Sequence, residues 1–164
     1  MSPGENQGEE YTNHIRAALE AEYKRREDLN ARSGSVITSA GGLVTLTVAV
    51  LAVFLGKEYL LDGGERGWMI FSFILFLGSA ILGVVAGLSW KYKVADGNSL
   101  KGMTDSHWGD SEVDARKAVA DTNIEAIGSL RKGNNWKARF LLAASISQVL
   151  AIAGLAISAL LALT

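Results

Sequence analysis

The chain has 164 residues, a formal net charge of −1 and no cysteine. A chain of this length corresponds to about one domain, and the lack of cysteine excludes disulfides and thiolate metal sites. Because acidic and basic residues nearly balance, the net charge favours no nucleic-acid partner, and the positions of the charges are more informative than their sum.

The N-terminal third is polar and predicts a tail followed by a helix. Residues 1–10 are small, polar and acidic, which is typical of a disordered tail. Residues 11–35 are rich in Ala, Glu, Lys and Arg and predict a cytoplasmic helix. The first apolar run begins only at Val36, too late for a cleavable signal peptide. Pro3 is the only proline, which favours long uninterrupted helices after it.

Three stretches without charged residues predict transmembrane helices: 36–55, 68–90 and 140–163. The middle stretch has a tryptophan at each end, Trp68 and Trp90, where indole rings suit the two membrane interfaces. The residues between them form a helix of ~31 Å, about the hydrocarbon thickness of a bilayer. The first span can continue the preceding helix without a break.

The segments between the spans predict one short connector and one longer cytoplasmic part. Residues 56–67 form a connector with a turn signal at 62–64. Residues 91–94 are expected to extend the second span by one turn, and the glycine-containing residues 96–110 to form a loop. Ser111 begins a capping box that starts a second cytoplasmic helix, so that 91–139 is a loop followed by a helix.

Basic residues predict the orientation of these spans. Lys and Arg number five in residues 1–35, two in the connector 56–67 and nine in residues 91–139. The positive-inside rule then places the N-terminus in the cytoplasm and the C-terminus outside the inner membrane. The predicted fold is therefore all-α, an integral membrane protein with three transmembrane helices and a cytoplasmic helical stalk.

No motif or cluster predicts catalysis, a cofactor or a metal site. The chain contains no nucleophile elbow, P-loop, dinucleotide fingerprint or zinc-protease motif. The three spans lack ionisable residues, which argues against an ion-coupled transporter. His107, Asp105 and Asp110 lie close in sequence, but one histidine with two loop carboxylates is a common chance arrangement. We therefore expect a protein that is not an enzyme.

Small residues inside the spans predict close helix packing, either within one chain or between copies in a homo-oligomer. A further interpretation is that some of the threonine and glutamine side chains of the spans form the weakly polar lining of a pore in such an oligomer. The packing candidates are Gly41, Gly42, Ser79, Gly83, Gly87, Ser147, Ala151, Gly154 and Ser158, and the lining candidates are Thr38, Thr45 and Gln148.

Basic residues are concentrated at the predicted cytoplasmic boundary. One interpretation is attraction to anionic lipid headgroups; the other is a cytoplasmic anion site, for example for a nucleotide phosphate, with Asn134, Asn135 and Trp136 beside it. The candidates are Arg25, Arg26, Arg32, Lys91, Lys93, Arg131, Lys132, Lys137 and Arg139.

Two runs of sequence resemble small bacterial membrane proteins. They are residues 23–32 (YKRREDLNAR), continuing into 36–46, and residues 130–139 (LRKGNNWKAR). The layout is also similar to the SLATT and Pycsar-type effectors, multi-pass proteins of nucleotide-signalled antiphage defence. That resemblance implies an effector that perforates or depolarises the inner membrane when triggered by a cyclic nucleotide. A third span at the C-terminus departs from the two-span SLATT layout.

Two functional hypotheses follow. The first is a non-enzymatic inner-membrane protein that self-associates, in its sharpest form a nucleotide-triggered, membrane-permeabilising defence effector. The alternative is a structural or accessory membrane subunit that docks a soluble cytoplasmic partner on its cytoplasmic helices. Ion leakage from proteoliposomes, with and without cyclic nucleotides, distinguishes the two hypotheses.

Overall fold

The computed structural model describes residues 8–54, 63–88, 90–93, 95 and 97–162, with side chains at all of these except 50, 51, 53 and 54. The predictions for residues 1–7, the end of the first span at Leu55, the connector residues 56–62 and the last two residues lie outside this part. The described chain is all-α. Its helices are α1 (Glu9–Phe54), α2 (Gly63–Gly87), α3 (Gly97–Asp105) and α4 (Glu112–Leu161).

The two long helices each join a polar segment to an apolar one. α1 runs through residues 35 and 36 without a break, and α4 runs through 139 and 140. No proline interrupts either helix, and Gly41 and Gly42 lie within α1 without ending it. The predicted N-cap of α4 is present, because the Ser111 hydroxyl accepts a hydrogen bond from the Asp114 amide at 3.2 Å.

Three predicted boundaries were wrong. α2 begins at Gly63, so the last residues of the predicted connector are helical, and it ends at Gly87 rather than continuing through residues 90–93. Residues 90–93 are not helical, because the Lys93 amide donates to the Ser129 hydroxyl at 2.9 Å instead of to a helical carbonyl. Residues 97–105, predicted as loop, form the short helix α3, none of whose residues is buried.

The chain divides into two units. The first unit consists of Met1–Asp28 with Ser89–Asn135. In it α1 and α4 run parallel, since Thr12 and Arg116 line one groove and Glu22 bonds to Arg131 further along both helices. Its buried apolar side chains include Ala126, Ile127 and Leu130, all on α4.

The second unit, Leu29–Leu88 with Trp136–Thr164, contains three helical segments whose directions alternate. α1 and α4 are again parallel, because Asn30 meets Lys137 and Ser39 meets Gln148. α2 runs antiparallel to α4, since Glu65 at its start contacts Ser158 near the end of α4. Leu29, Ala86 and Leu141 form a small buried apolar cluster among the three segments.

Two helices, α2 and α4, are long and apolar enough to cross a membrane by length and composition. Only 28% of the apolar stretch of α2 and 22% of that of α4 is buried within the chain. α1, which contains the predicted first span, is not among these helices in the described part of the chain.

In the second unit most buried residues are small or hydroxylated and most large apolar side chains are exposed, with Leu29, Phe76 and Leu141 as buried exceptions. Ser72, Ser79 and Gly83 are buried on α2, while Ile74 and Leu77 on the same helix are 62% and 64% exposed. α4 shows the same arrangement. This distribution is the reverse of that in a water-soluble core, and it suggests membrane association.

Candidate functional site

The close contact between α1 and α2 depends on two of the predicted packing glycines. The Ser33 hydroxyl donates a 2.7 Å hydrogen bond to the carbonyl of Gly83. A Cβ at Gly83 would lie 3.0 Å from Ile37 Cγ1, and one at Gly87 would lie 2.8 Å from Ser33 Oγ. A side chain at either position would force a neighbouring α1 side chain to move, and the absence of one lets the Ser33 hydroxyl reach the backbone carbonyl of Gly83.

The contact between α2 and α4 uses a second set of small residues. A Cβ at Gly154 would meet Ser72 Oγ, and the Ser158 hydroxyl donates to the Glu65 carbonyl at 2.9 Å. Ala151, three residues before Gly154 on α4, is also fully buried. Ser79 is also fully buried, and within the described residues its hydroxyl has no hydrogen-bond partner. These candidates therefore make intramolecular contacts.

Gln148 joins α4 to α1. Its amide nitrogen donates to the Val36 carbonyl at 2.9 Å and to the Ser39 hydroxyl at 3.1 Å. Ser147 lies beside it and is half-buried. A polar side chain in this position satisfies its hydrogen bonds inside the chain, which is how amides are accommodated in hydrocarbon.

The small face of α1 differs, because its two glycines have open space around them in the described part of the chain. Gly41 and Gly42 are exposed, and a Cβ at either position would meet no described atom within 4 Å. Thr38 and Thr45 lie on the same face, since they are three and four residues from these glycines. Their hydroxyls bond the Gly34 and Gly41 carbonyls of their own helix at 3.0 Å. This face is the one predicted packing surface that stays open in the described part of a single copy.

Glu22 is the centre of a polar cluster in the first unit that the sequence analysis missed. Its side chain is 10% exposed and accepts from Arg131 Nε at 2.9 Å. Asn134, which is fully buried, donates from Nδ2 to both the Glu22 carboxylate and its backbone carbonyl at 3.0 Å. Arg25 lies 3.7 Å from the carboxylate and donates to Asn135 at 2.9 Å. The cluster links α1 to α4.

Tyr92 fixes the segment after α2 against the same unit. Its ring packs directly against Gly133 of α4, so closely that a Cβ on this glycine would lie 2.6 Å from the ring. On α1, the Arg26 guanidinium lies 4.6 Å from the ring centre. Burial raises the pKa of Tyr92 above its ordinary 10.0, and the positive charge of Arg26 lowers it by a smaller amount. Next to it, Lys93 pairs with Glu125 at 2.8 Å, and the hydrogen bond of this exposed pair raises the lysine pKa and lowers that of the carboxyl.

The nine predicted basic residues do not converge on one anion site. Arg25, Arg131, Lys93 and Lys137 are bound to oxygen atoms of the protein itself, the last to Asn30 Oδ1 at 2.6 Å. Two others lie over aromatic rings, Arg26 over Tyr92 and Arg139 over Trp136. The three that have no hydrogen-bond, ion-pair or ring partner in the described part of the chain are Arg32, Lys91 and Lys132.

Sequence patterns gave little indication of Ser33, Glu22 and Tyr92. Each has its role through a residue at least 50 positions away in the chain or on another helix. His107 and Asp110 do meet, at 3.0 Å, in an exposed i, i+3 pair. Among the described residues no group of three or more His, Asp and Glu side chains could hold a metal ion.

No protein-family model matches this chain, and neither a curated protein nor a solved structure matches it.

Proposed function

We propose that this protein is a non-enzymatic, multi-pass inner-membrane protein that self-associates through the small face of α1. The observation that carries the proposal is the burial pattern in the second unit, where most buried residues are small or hydroxylated and most Leu, Ile and Val side chains are exposed. Exposed apolar side chains of this kind are stable in lipid and costly in water.

The alternating directions of the three segments support a three-span arrangement with the N-terminus in the cytoplasm. The natural lack of cysteine makes the topology directly testable, since single-cysteine variants need no other change. Lys24→Cys should be protected from a membrane-impermeant maleimide in intact cells, and Arg66→Cys should be labelled. The opposite labelling pattern would reverse the orientation, and labelling of both would contradict membrane insertion.

Self-association is supported by a difference between the small-residue face of α1 and those of α2 and α4. The small residues of α2 and α4 are occupied inside the chain, whereas Gly41 and Gly42 have open space around them. Small faces permit the close helix approach that drives association in lipid, where apolar surface alone provides no force. We expect Thr45→Cys to crosslink between copies in membranes, and Leu77→Cys, on an exposed bulky face of α2, to crosslink much less.

The most specific form of this function is permeabilisation of the inner membrane by an oligomer. Three helices cannot enclose a pore, so a pore requires several copies, and Thr38 and Thr45 then lie beside the contact. In proteoliposomes, a cyclic nucleotide should release trapped ions from vesicles with wild-type protein, and Gly41→Leu should reduce this release. Membranes that stay sealed under every condition would exclude the effector.

A docking function is the second candidate, and two exposed aromatic side chains favour it. Tyr11 is 78% exposed and Trp108 is 82% exposed in the first unit. Aromatic side chains are frequent at protein interfaces. A soluble partner would protect Trp108 from fluorescence quenching by acrylamide, while a lipid-only function would leave the quenching unchanged.

A further inference from the structure

A groove in the second unit lies between α1 and α4. Its volume is about 410 Å³, within the range of small-molecule clefts. Most of its walls are apolar, and one side chain in the lining is ionisable, Arg32. The lining residues are Leu29, Arg32, Ser35, Val36, Ala138, Leu141, Leu142 and Ser145.

Arg32 differs from most of the other eight basic candidates because no described residue neutralises its charge. Its guanidinium has no hydrogen-bond or ion-pair partner in the described chain, and the same holds for the Ser35 hydroxyl one turn further along α1. Arg25 and Lys137, by contrast, are bound to asparagine oxygens. An open guanidinium with a nearby hydroxyl is suited to a phosphate group.

The groove spans the point at which α4 changes from charged to apolar. Arg139 lies over the Trp136 ring, and Trp136 stacks on Phe140 with ring centres 5.8 Å apart. Aromatic and basic residues together are typical of the lipid headgroup level. The apolar wall continues from there to Leu142, which is 64% exposed.

We propose that this groove binds an anionic phospholipid, with the phosphate at Arg32 and Ser35 and one acyl chain along Val36, Leu141 and Leu142. The site rests on the membrane insertion proposed above and specifies its lipid partner. No carboxylate lines the groove to repel the phosphate. The apolar walls favour a lipid over free phosphate, since inorganic phosphate would contact only one end of the groove.

The experiment uses the full-length protein, delipidated in mild detergent and titrated with phosphatidylglycerol, phosphatidylcholine or glycerol phosphate. Native mass spectrometry counts the lipids bound. We expect saturable binding of phosphatidylglycerol, weaker binding of phosphatidylcholine and no binding of glycerol phosphate. Equal binding of the two lipids would overturn the choice of an anionic ligand, and tight binding of glycerol phosphate would overturn the acyl contact.

Arg32→Gln should weaken phosphatidylglycerol binding roughly five- to tenfold and leave phosphatidylcholine unchanged. Lys132→Gln is the matched control, because it removes a charge that also has no described partner and does not line the groove. Equal losses in the two variants would show diffuse attraction and overturn the site. Arg32→Lys should recover part of the binding, which separates loss of charge from misfolding.

Ser145→Phe tests the apolar end, since Ser145 is exposed and, among the described residues, its hydroxyl bonds only to the Leu141 carbonyl of its own helix. A phenyl ring there should occlude the groove and weaken binding of both lipids. Unchanged binding of both lipids would overturn the proposed acyl position. If lipid binding fails these tests but cysteine labelling shows the expected topology, the groove proposal is rejected and the proposed function stands. If the labelling contradicts membrane insertion, both are rejected.

Discussion

The Ser33 hydroxyl donates its hydrogen bond to the carbonyl of Gly83, and the missing side chain of Gly87 leaves the space that the same hydroxyl occupies. One serine of α1 therefore depends on two glycines one turn apart on α2. In hydrocarbon, a hydroxyl that donates to a backbone carbonyl of another helix stabilises the contact between the two helices. Without that bond, the hydroxyl would be an unsatisfied polar group, because no water is present to replace the carbonyl.

Gly87→Ala should destabilise the protein because the new methyl group would lie 2.8 Å from Ser33 Oγ. We expect a loss of about 1–3 kcal/mol, typical of overpacking. Gly78→Ala on the same helix is the control, since its Cβ would meet no described atom within 4 Å; it should be neutral or slightly stabilising. Unfolding in mixed micelles measures both variants, and equal stabilities would contradict the close approach of α1 and α2.

Glu22→Gln should weaken the first unit. The amide cannot pair with Arg131 and Arg25 as the carboxylate does, and Glu22 is nearly buried whereas the two arginines are partly exposed. Allowing for that exposure, we expect a loss of about 1–2 kcal/mol. Glu20→Gln, an exposed change two residues away, should have little effect. Hydrogen exchange around Asn134 in the full-length protein measures the difference, and unaltered exchange in Glu22→Gln would exclude a stabilising cluster.

Tyr92 should make stability fall at alkaline pH. Its pKa is raised above 10.0 by burial, so the folded state holds the proton more tightly than the unfolded state. The stabilisation is complete below pH 10 and is lost as the pH rises through the higher folded value. Tyr92→Phe should remove this part of the alkaline loss. Phenolate absorbance of wild type minus Tyr92→Phe measures the pKa directly, and titration at or below 10.0 would refute the effect of burial.

Arg26→Gln provides a second check on Tyr92. The guanidinium over the ring favours the phenolate, so its removal should raise the pKa of Tyr92 further. Lys24→Gln is the control, because it removes an exposed charge from the same helix. A lowered pKa in Arg26→Gln would show that the charge does not act on the ring.

Gly133→Ala should release the segment after α2. Its methyl group would lie 2.6 Å from Tyr92 Cε1, and the ring must move away. We expect faster proteolysis near Lys91 and Lys93, because the segment loses its anchor. Gly128→Ala, also in α4 but with open space at Cβ, should leave the cleavage rate unchanged. Equal rates in Gly133→Ala and wild type would mean that Tyr92 does not hold the segment.

The sequence by itself determined the three long helices and the positions of their polar and apolar segments, but not the short helix α3. One early proline, three uncharged apolar stretches and the cap at Ser111 predict long helices, and all of these are local signals. The spacing of Gly83 and Gly87 also predicts a small face, because residues four apart lie on one side of a helix. Residue spacing does not predict which surface such a face packs against.

Only the tertiary structure decided which residues contact one another across the helices. Gly83 meets Ser33, Gln148 meets Val36, and the face around Gly41 meets nothing within the described chain. The end of α2 was also a tertiary outcome, since Lys93 gives its amide hydrogen to Ser129 on α4 rather than to another turn of helix. These choices depend on the register between helices, which brings together residues 36 to 112 positions apart. Helix formation is a local free-energy balance, whereas register is set by the packing of all three segments at once.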